Sequence, residues 1–414
     1  MRKIIYTLLT ISYLTTSAQG LREIYQEGIK AYEDKNYELF KEKMLTIDTL
    51  RPNYPAVVYN LASSYALTDQ KELSLKVLEK YILMDATQDF TKDEDFNAIL
   101  ELPGFIQIQK KQKELTKKIE VKKAYEYPVL SAHPEAIAYS ENKDMFFIGG
   151  VKDGNIWKVE EGKEPEIWAE SPKKSWSVMG LEVSKDNEFL WACTSVMSFF
   201  EDYDQNEDGF ASVLKYNLKN GELLETFALP GGHNFGDLIS DDNGNIYISD
   251  GSANKIYWVQ SKVNKLEVYL DLSNTVFNLQ GLSLSKDQQS LYLSDYIDGI
   301  YKINLATKEA IKLKVEANEI LLKGIDGLYY DNGTLIGLHN GTNPNRIVRY
   351  QLSENESSIV SKEVLAQGGT LGEPTQGVWR AKKFYFIVNS PWGSYDGDGN
   401  FNPEGQMLKI GVIE

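Results

Sequence analysis

Six stretches of this chain repeat one pattern: an apolar run, a tight polar turn, a second apolar run. They read PEAIAYSENKDMFFIGG, VMGLEVSKDNEFLWACTS, NFGDLISDDNGNIYISD, LQGLSLSKDQQSLYLSD, IDGLYYDNGTLIGLHN and TQGVWRAKKFYFIVNS. They begin roughly 45 to 55 residues apart. Asn-Gly, Asp-Gly and Lys-Asp turns between short apolar runs predict antiparallel strands. A third strand usually follows (GNIWKVE, NKIYWVQ, DGIYKIN, NRIVRYQ), then a fourth (KLEVYLDL, EAIKLKV). Four strands per unit at this period predict blades of a β-propeller, and six units predict six blades over residues 121–414. The last unit stops at GQMLKIGVI without a fourth strand. The run KKAYEYPVL, within 122–130, is predicted to supply it and to close the ring, because closure removes an exposed sheet edge.

The preceding hundred or so residues have a different period. LREIYQEGIKAYEDKNYELFKEKMLTI spaces its apolar residues by three and four, the helical repeat. Gly28, Tyr32 and Tyr37 recur in kind as Ala62, Ala66 and Leu73, roughly 34 residues on, and Pro52 closes the first unit. This is similar to the tetratricopeptide pattern of paired antiparallel helices. Residues 19–120 are therefore expected to form a helical repeat domain, with DEDFNAILELPGFIQIQKKQKEL adding capping helices. A generic helical domain is the alternative. A concave repeat surface would suit a protein or peptide partner.

The first residues, MRKIIYTLLTISYLTTSAQG, carry Arg2 and Lys3, a short apolar segment from Ile4 to Leu14, and small residues at Thr16-Ser17-Ala18. This predicts a secretory signal over residues 1–18, cleaved after Ala18, and a secreted or periplasmic protein. The segment is too short to span a bilayer, which takes about 20 apolar residues. Cys193 is the sole cysteine, so no internal disulfide forms. The net charge of −16 argues against nucleic acid and anionic membrane surfaces as partners.

In a propeller the innermost strand of each blade begins beside the central axis. The residues there form a ring at the channel mouth: Glu135, Met179, Asn234 with Phe235, Gln280, Asp326 and Gln376. Glu135 and Asp326 contribute two carboxylates, and Asn234 and Gln280 two amide oxygens. That set suits a hard dication, Ca2+ first, with Mg2+ and Mn2+ as alternatives. A hydrogen-bonded polar plug is the competing reading.

On these residues the propeller half resembles the six-bladed calcium-dependent lactonases, the regucalcin (senescence marker protein 30) and gluconolactonase superfamily, and more distantly the paraoxonases. In that family a Glu starts the first blade, as Glu135 does in HPEAIAY. An Asn starts the third, as Asn234 does in HNFGDL, and an Asp-Gly starts the fifth, as Asp326 does in IDGLYY. Gln280 stands where the family has Asn. Gly232 stands where the sugar-acid enzymes place an Arg. The resemblance implies a metal held by Glu135, Asn234, Gln280 and Asp326.

All three histidines, His133, His233 and His339, fall at strand ends assigned to the ring's face. His233 beside Asn234 is the best candidate for proton transfer, with Asp326 the other. The metal would polarise a lactone or ester carbonyl, and Asp326 or His233 would take a proton from water. No Gly-x-Ser-x-Gly motif offers a serine nucleophile. Two acidic loops are also predicted on this face: Asp204-x-Asn206-x-Asp208-Gly209 and Asp396-x-Asp398-x-Asn400. Neither matches a full EF-hand loop, so they read as solvated turns or as calcium-stiffened lids. The function expected is a metal-dependent hydrolase of a lactone or related ester. The alternative is a secreted, non-catalytic ligand- or protein-binding propeller with a helical docking domain.

Overall fold

A computed structural model of the chain describes residues 15–121, 123–128, 132–173, 176–198, 203–317, 319–396, 400–402 and 407–414. The apolar segment Ile4 to Leu14 of the expected leader lies outside the described residues. So does Asp398. The chain forms two compact units: one runs through Lys117 and includes 342–344, and the other takes 118–341 and 345–414. Among the described residues no helix is long and apolar enough to cross a membrane.

The first unit is helical: α1 (Thr15–Glu33), α2 (Tyr37–Leu50), α3 (Pro55–Leu67), α4 (Lys71–Met84) and α5 (Pro103–Leu115). Asn36 caps α2 by accepting the Leu39 N–H at 3.3 Å, and proline opens α3 and α5, where a missing N–H costs nothing. The small residue marking the first repeat has a steric cause. A Cβ on Gly28 would fall 2.5 Å from Met44 Cε, so α1 and α2 meet there through a bare backbone. Phe40, Met44, Ile47, Val57 and Leu61 fill the core. The expected capping helices are only partly present. Residues 90–96 form two single 3₁₀ turns, because Asp89 and Asp93 bind the N–H groups of Thr91 and Asp95 and so compete with helix propagation.

The second unit is a six-bladed propeller. Blade one comprises Pro134–Ser140, Met145–Gly150, Ile156–Val159 and Glu166–Ala169. Blade two comprises Trp176–Val183, Phe189–Val196, Ala211–Asn217 and Leu223–Leu229. Blade three comprises Phe235–Ser240, Ile246–Asp250, Lys255–Val259 and Leu266–Asp271. Blade four comprises Leu279–Leu284, Ser290–Asp295, Gly299–Asn304 and Ala310–Lys312. Blade five comprises Ile325–Asp331, Thr334–His339, Arg346–Leu352 and Ser358–Gln367. Blade six comprises Gly377–Arg380, Lys383–Ile387 and Leu408–Ile413, and its outer strand is Lys123–Tyr127. That strand pairs antiparallel with the last, Lys123 opposite Val412 and Tyr127 opposite Leu408. The predicted run EAIKLKV splits: Lys314–Val315 leaves blade four and pairs parallel with Ser358 and Ile359 of blade five.

Alternation along each strand sends apolar side chains into the gaps between neighbouring blades. Ile137, Phe146 and Ile148 of blade one meet Tyr385, Ile387, Leu408 and Ile410 of blade six in one such layer. Each fully buried large side chain contributes about 1.5–3 kcal/mol. The turns follow local chemistry. In blade three Asp241 accepts the N–H groups of Asn243 and Asn245, and Gly244 takes φ +77°, which the Asn-Gly turn requires.

Candidate functional site

The inner strands of blades one to five are bulged at or beside the ring residues. In blade one Pro134 pairs with Gly150 and Ala136 with Gly149, so Glu135 is the extra residue. Met179 is the extra residue in blade two and Gly236 in blade three. In blades four and five the shift falls across Gln280–Gly281 and Asp326–Gly327. A bulge re-aims a side chain that regular pleating would send elsewhere. Backbone crowding completes the ring. A Cβ on Gly281 would lie 2.5 Å from the Asp326 carbonyl, and one on Gly327 2.5 Å from that of Thr375. Asn234 stands one residue before its strand, outside the bulge, as Gln376 does before Gly377–Arg380, whereas Glu135, Met179, Gln280 and Asp326 lie within their strands.

The polar groups around the axis fall into two sets by their hydrogen-bond partners, which we call the lower and the upper tier. In the lower one Gln376 reaches from blade six and donates from Nε2 to the carbonyls of Met179 at 2.8 Å and Gly236 at 3.1 Å. Asp237, also buried, accepts from Leu238 N and Leu282 N, each at 2.8 Å. Met179 itself packs among Cys193, Phe235 and Leu238 as part of the core.

The upper tier carries the candidate residues. Glu135 is buried, and its Oε2 accepts from Ser390 Oγ at 2.6 Å and Trp392 Nε1 at 2.8 Å. Asn340 Nδ2 donates to Asp326 Oδ2 at 2.6 Å. Burial first, and then the nearby Asp326 carboxylate, raise Glu135 well above the usual carboxylate range. Burial pushes Asp326 up to about 7 against the opposing donation from Asn340. Among the described residues no lysine or arginine pairs with either. Glu373 also lies at this mouth and is pushed up to about 7 by burial and then by Asp326.

Several oxygens are left for a cation. Asn234 Oδ1 is buried without a hydrogen-bond partner, although its backbone N–H is held by Asp250 at 3.1 Å. Glu135 Oε1 and Asp326 Oδ1 take no part in the hydrogen bonds of their carboxylates to Ser390, Trp392 and Asn340, but unlike Asn234 Oδ1 they are not fully buried orphans. An orphaned amide oxygen, the buried Glu135 and the half-buried Asp326 beside it form a donor set that fits a hard dication. Gln280 fits less directly: its Nε2 donates to Asn278 Oδ1 at 2.6 Å, which fixes the amide from one side. Among the described residues no three His, Cys, Asp or Glu side chains converge as a metal site, so the amides would have to complete this one.

The three histidines part company. His233 Nδ1 lies 2.7 Å from Asp250 Oδ2, which leaves Nε2 available. Asp250 also accepts the N–H groups of Ser252 and Ala253. His133 is wholly buried, its Nδ1 2.7 Å from Tyr395 Oη and its ring 4.4 Å from that of Trp392. Its Nε2 has no partner, and burial lowers it to about 3, so it stays neutral. His339 bonds the Lys323 carbonyl and Tyr350 Oη at the two ring nitrogens and belongs to the core. The acidic loops hold themselves. Asp204 Oδ1 accepts the backbone and side-chain N–H groups of Asn206, and Asp396 does the same for Asn400. Asp208 sits beside Tyr203.

Sequence reasoning passed over Glu373, Asn340, Asn278 and Asp250. Asp250 had a visible signal, the Ser-Asp that ends its strand. The same Ser-Asp ends the second strand of blade four, where Asp295 binds Phe277 N and Asn278 N.

Neither a family profile nor a characterised protein sequence matches the chain. Solved structures do. The PQQ-bound aldose sugar dehydrogenase of Streptomyces coelicolor is 15% identical over 72% of this chain and 99% of its own, with a TM-score of 0.50. A candidate oxidoreductase (glucose dehydrogenase) of Thermus thermophilus is 15% identical over 70% and 99%, also at 0.50. A candidate gluconolactonase is 11% identical over 72% and 91%, at 0.46. The likeness to the first two, at 15% identity, shows the propeller fold alone.

Proposed function

We propose that the propeller is a divalent-metal-dependent hydrolase of a lactone or related ester. Glu135, Asn234 and Asp326 would hold Ca2+, or Mg2+ or Mn2+ in its place, with Gln280 at the fourth side. The observation that carries this reading is the pair of buried Glu135 and half-buried Asp326, which among the described residues has no cationic side chain to balance it. Two neighbouring carboxylates withdrawn from water without a counter-charge are costly unless protonated or bound to a metal.

A bound dication supplies Lewis-acid polarisation of the ester carbonyl and charge for the developing oxyanion. His233 takes a proton from the attacking water at Nε2, while Asp250 keeps Nδ1 protonated and the ring aligned. The water oxygen then bonds to the acyl carbon, the acyl C–O bond breaks, and the His233 proton passes to the leaving alkoxide. Asp326 is the second candidate base, in competition with its role as a ligand. Gly232, bare where the sugar-acid enzymes carry an Arg, argues for a substrate other than a sugar-acid lactone.

The test is metal analysis of the purified protein, with a screen of lactones and aryl esters in the presence and absence of chelator. The reading expects bound dication and chelator-sensitive turnover that Asp326→Ala abolishes. A metal-free protein without turnover would instead support a ligand-binding propeller. Export through residues 1–18 belongs to the same proposal, and N-terminal sequencing of the extracellular or periplasmic fraction, expected to begin at Gln19, checks it.

A further inference from the structure

The loop after the second strand of blade five carries Asn340, and its geometry is tightly fixed. Tyr296 Oη donates to Asn340 Oδ1 at 3.0 Å, and Asn340 Nδ2 donates to Asp326 Oδ2 at 2.6 Å. The first bond sets which way the amide faces. With Oδ1 receiving the phenol proton, Nδ2 must point at the carboxylate. Tyr296 is itself held on three sides. Its N–H donates to the Asn278 carbonyl at 2.9 Å, its carbonyl accepts from Gly324 N at 2.7 Å, and Lys323 Nζ lies 5.4 Å from its ring centroid. Lys323 Nζ also donates to the Gly341 carbonyl at 3.0 Å, next to Asn340. No side chain could stand at 341: a Cβ there would fall 2.5 Å from Gly324 Cα and 2.7 Å from Tyr296 Oη. Two loops, from blades four and five, are thus locked around one amide.

We propose that Asn340, oriented by Tyr296, is a positioning residue for Asp326: it engages Oδ2 and so presents Oδ1 to a cation at the channel mouth. The proposal rests on the reading of Glu135, Asn234 and Asp326 as the cation's ligands. Partners of a ligating carboxylate fix its orientation, and losing one typically costs about 10- to 100-fold in metal affinity. Tyr296 acts one step further back, so its loss costs less.

The experiment is calorimetric titration of metal-depleted full-length protein with CaCl2, alongside the thermal midpoint of each protein in chelator. Wild type binds Ca2+ and Asp326→Ala does not. Asn340→Ala binds about 10- to 100-fold more weakly. Tyr296→Phe keeps the ring and its packing, and shifts affinity in the same direction by a smaller factor. Should Asn340→Ala fail to fold, Tyr296→Phe carries the test alone. The chelated midpoints separate positioning from scaffolding, because a merely structural role moves the midpoint and leaves Ca2+ affinity in place. Wild-type affinity in both variants, with none in Asp326→Ala, overturns the positioning role and leaves the metal reading standing. No Ca2+ uptake by wild type overturns both.

Discussion

The two tiers of the channel use similar residues to opposite ends. In the lower tier Asp237 accepts from Leu238 N of its own strand and Leu282 N of blade four, and Gln376 of blade six donates across the axis to carbonyls of blades two and three. In the upper tier Asn234 keeps a buried oxygen and His133 a buried nitrogen without a partner, and Glu135 and Asp326 each bond through one carboxylate oxygen only. A saturated buried polar group holds a fold together, whereas an unsaturated one is costly and marks a place reserved for something else. Blades three and four repeat the contrast. Asp250 and Asp295 both tie down the loop before their inner strands, but only Asp250 also receives a histidine.

The sharpest way to break this comparison is Asp326→Ala. It should abolish divalent-ion binding and any chelator-sensitive hydrolysis, read by calorimetry and by the ester screen. Next is His233→Asn, which should lower kcat by about 10²- to 10⁴-fold while Ca2+ affinity holds. Gln376→Ala should do the reverse. It removes the donor from the buried carbonyl of Met179 and the half-buried one of Gly236 and costs about 1–3 kcal/mol of stability by chemical denaturation, with Ca2+ binding intact.

A smaller effect is pH dependence. Burial raises Asp326, Asp237 and Glu373 to about 7. A carboxyl raised on folding binds its proton more tightly in the folded chain. Its stabilisation is therefore complete below the unfolded value, 3.8 for Asp and 4.5 for Glu, and is lost as pH rises through about 7. In chelator the thermal midpoint should fall between pH 5 and pH 8. Saturating Ca2+ should flatten the part of that slope due to Asp326 and leave the part due to Asp237. Met179→Ala, in the packed core beside the lower tier, should leave Ca2+ affinity unchanged.

The sequence made the blades legible because period-2 alternation and turn chemistry are local. The run PEAIAYSENKDMFFIGG contains both strands of its hairpin and the turn between them. The upper tier was legible in part for the same reason: residues at the start of each inner strand must surround the axis. What orients them was not legible. Asn340 meets Asp326, and Trp392 meets Glu135, across separations of 14 and 257 residues, and no local pattern encodes such a pairing. The phase of blade three also escaped, because the bulge there falls on Gly236 and leaves Asn234 one position outside it. His339 shows the converse. It stands at the expected end of its strand, but Tyr350 and the Lys323 carbonyl occupy both ring nitrogens.

The central claim is that side chains from blades one, three and five share one cation at the mouth of the ring. Calorimetric Ca2+ titration of the chelator-treated chain tests it most directly. The account predicts uptake of one equivalent, lost in Glu135→Gln and in Asp326→Ala alike. Heat no greater than dilution in wild type, or an equivalent that survives both substitutions, would contradict it.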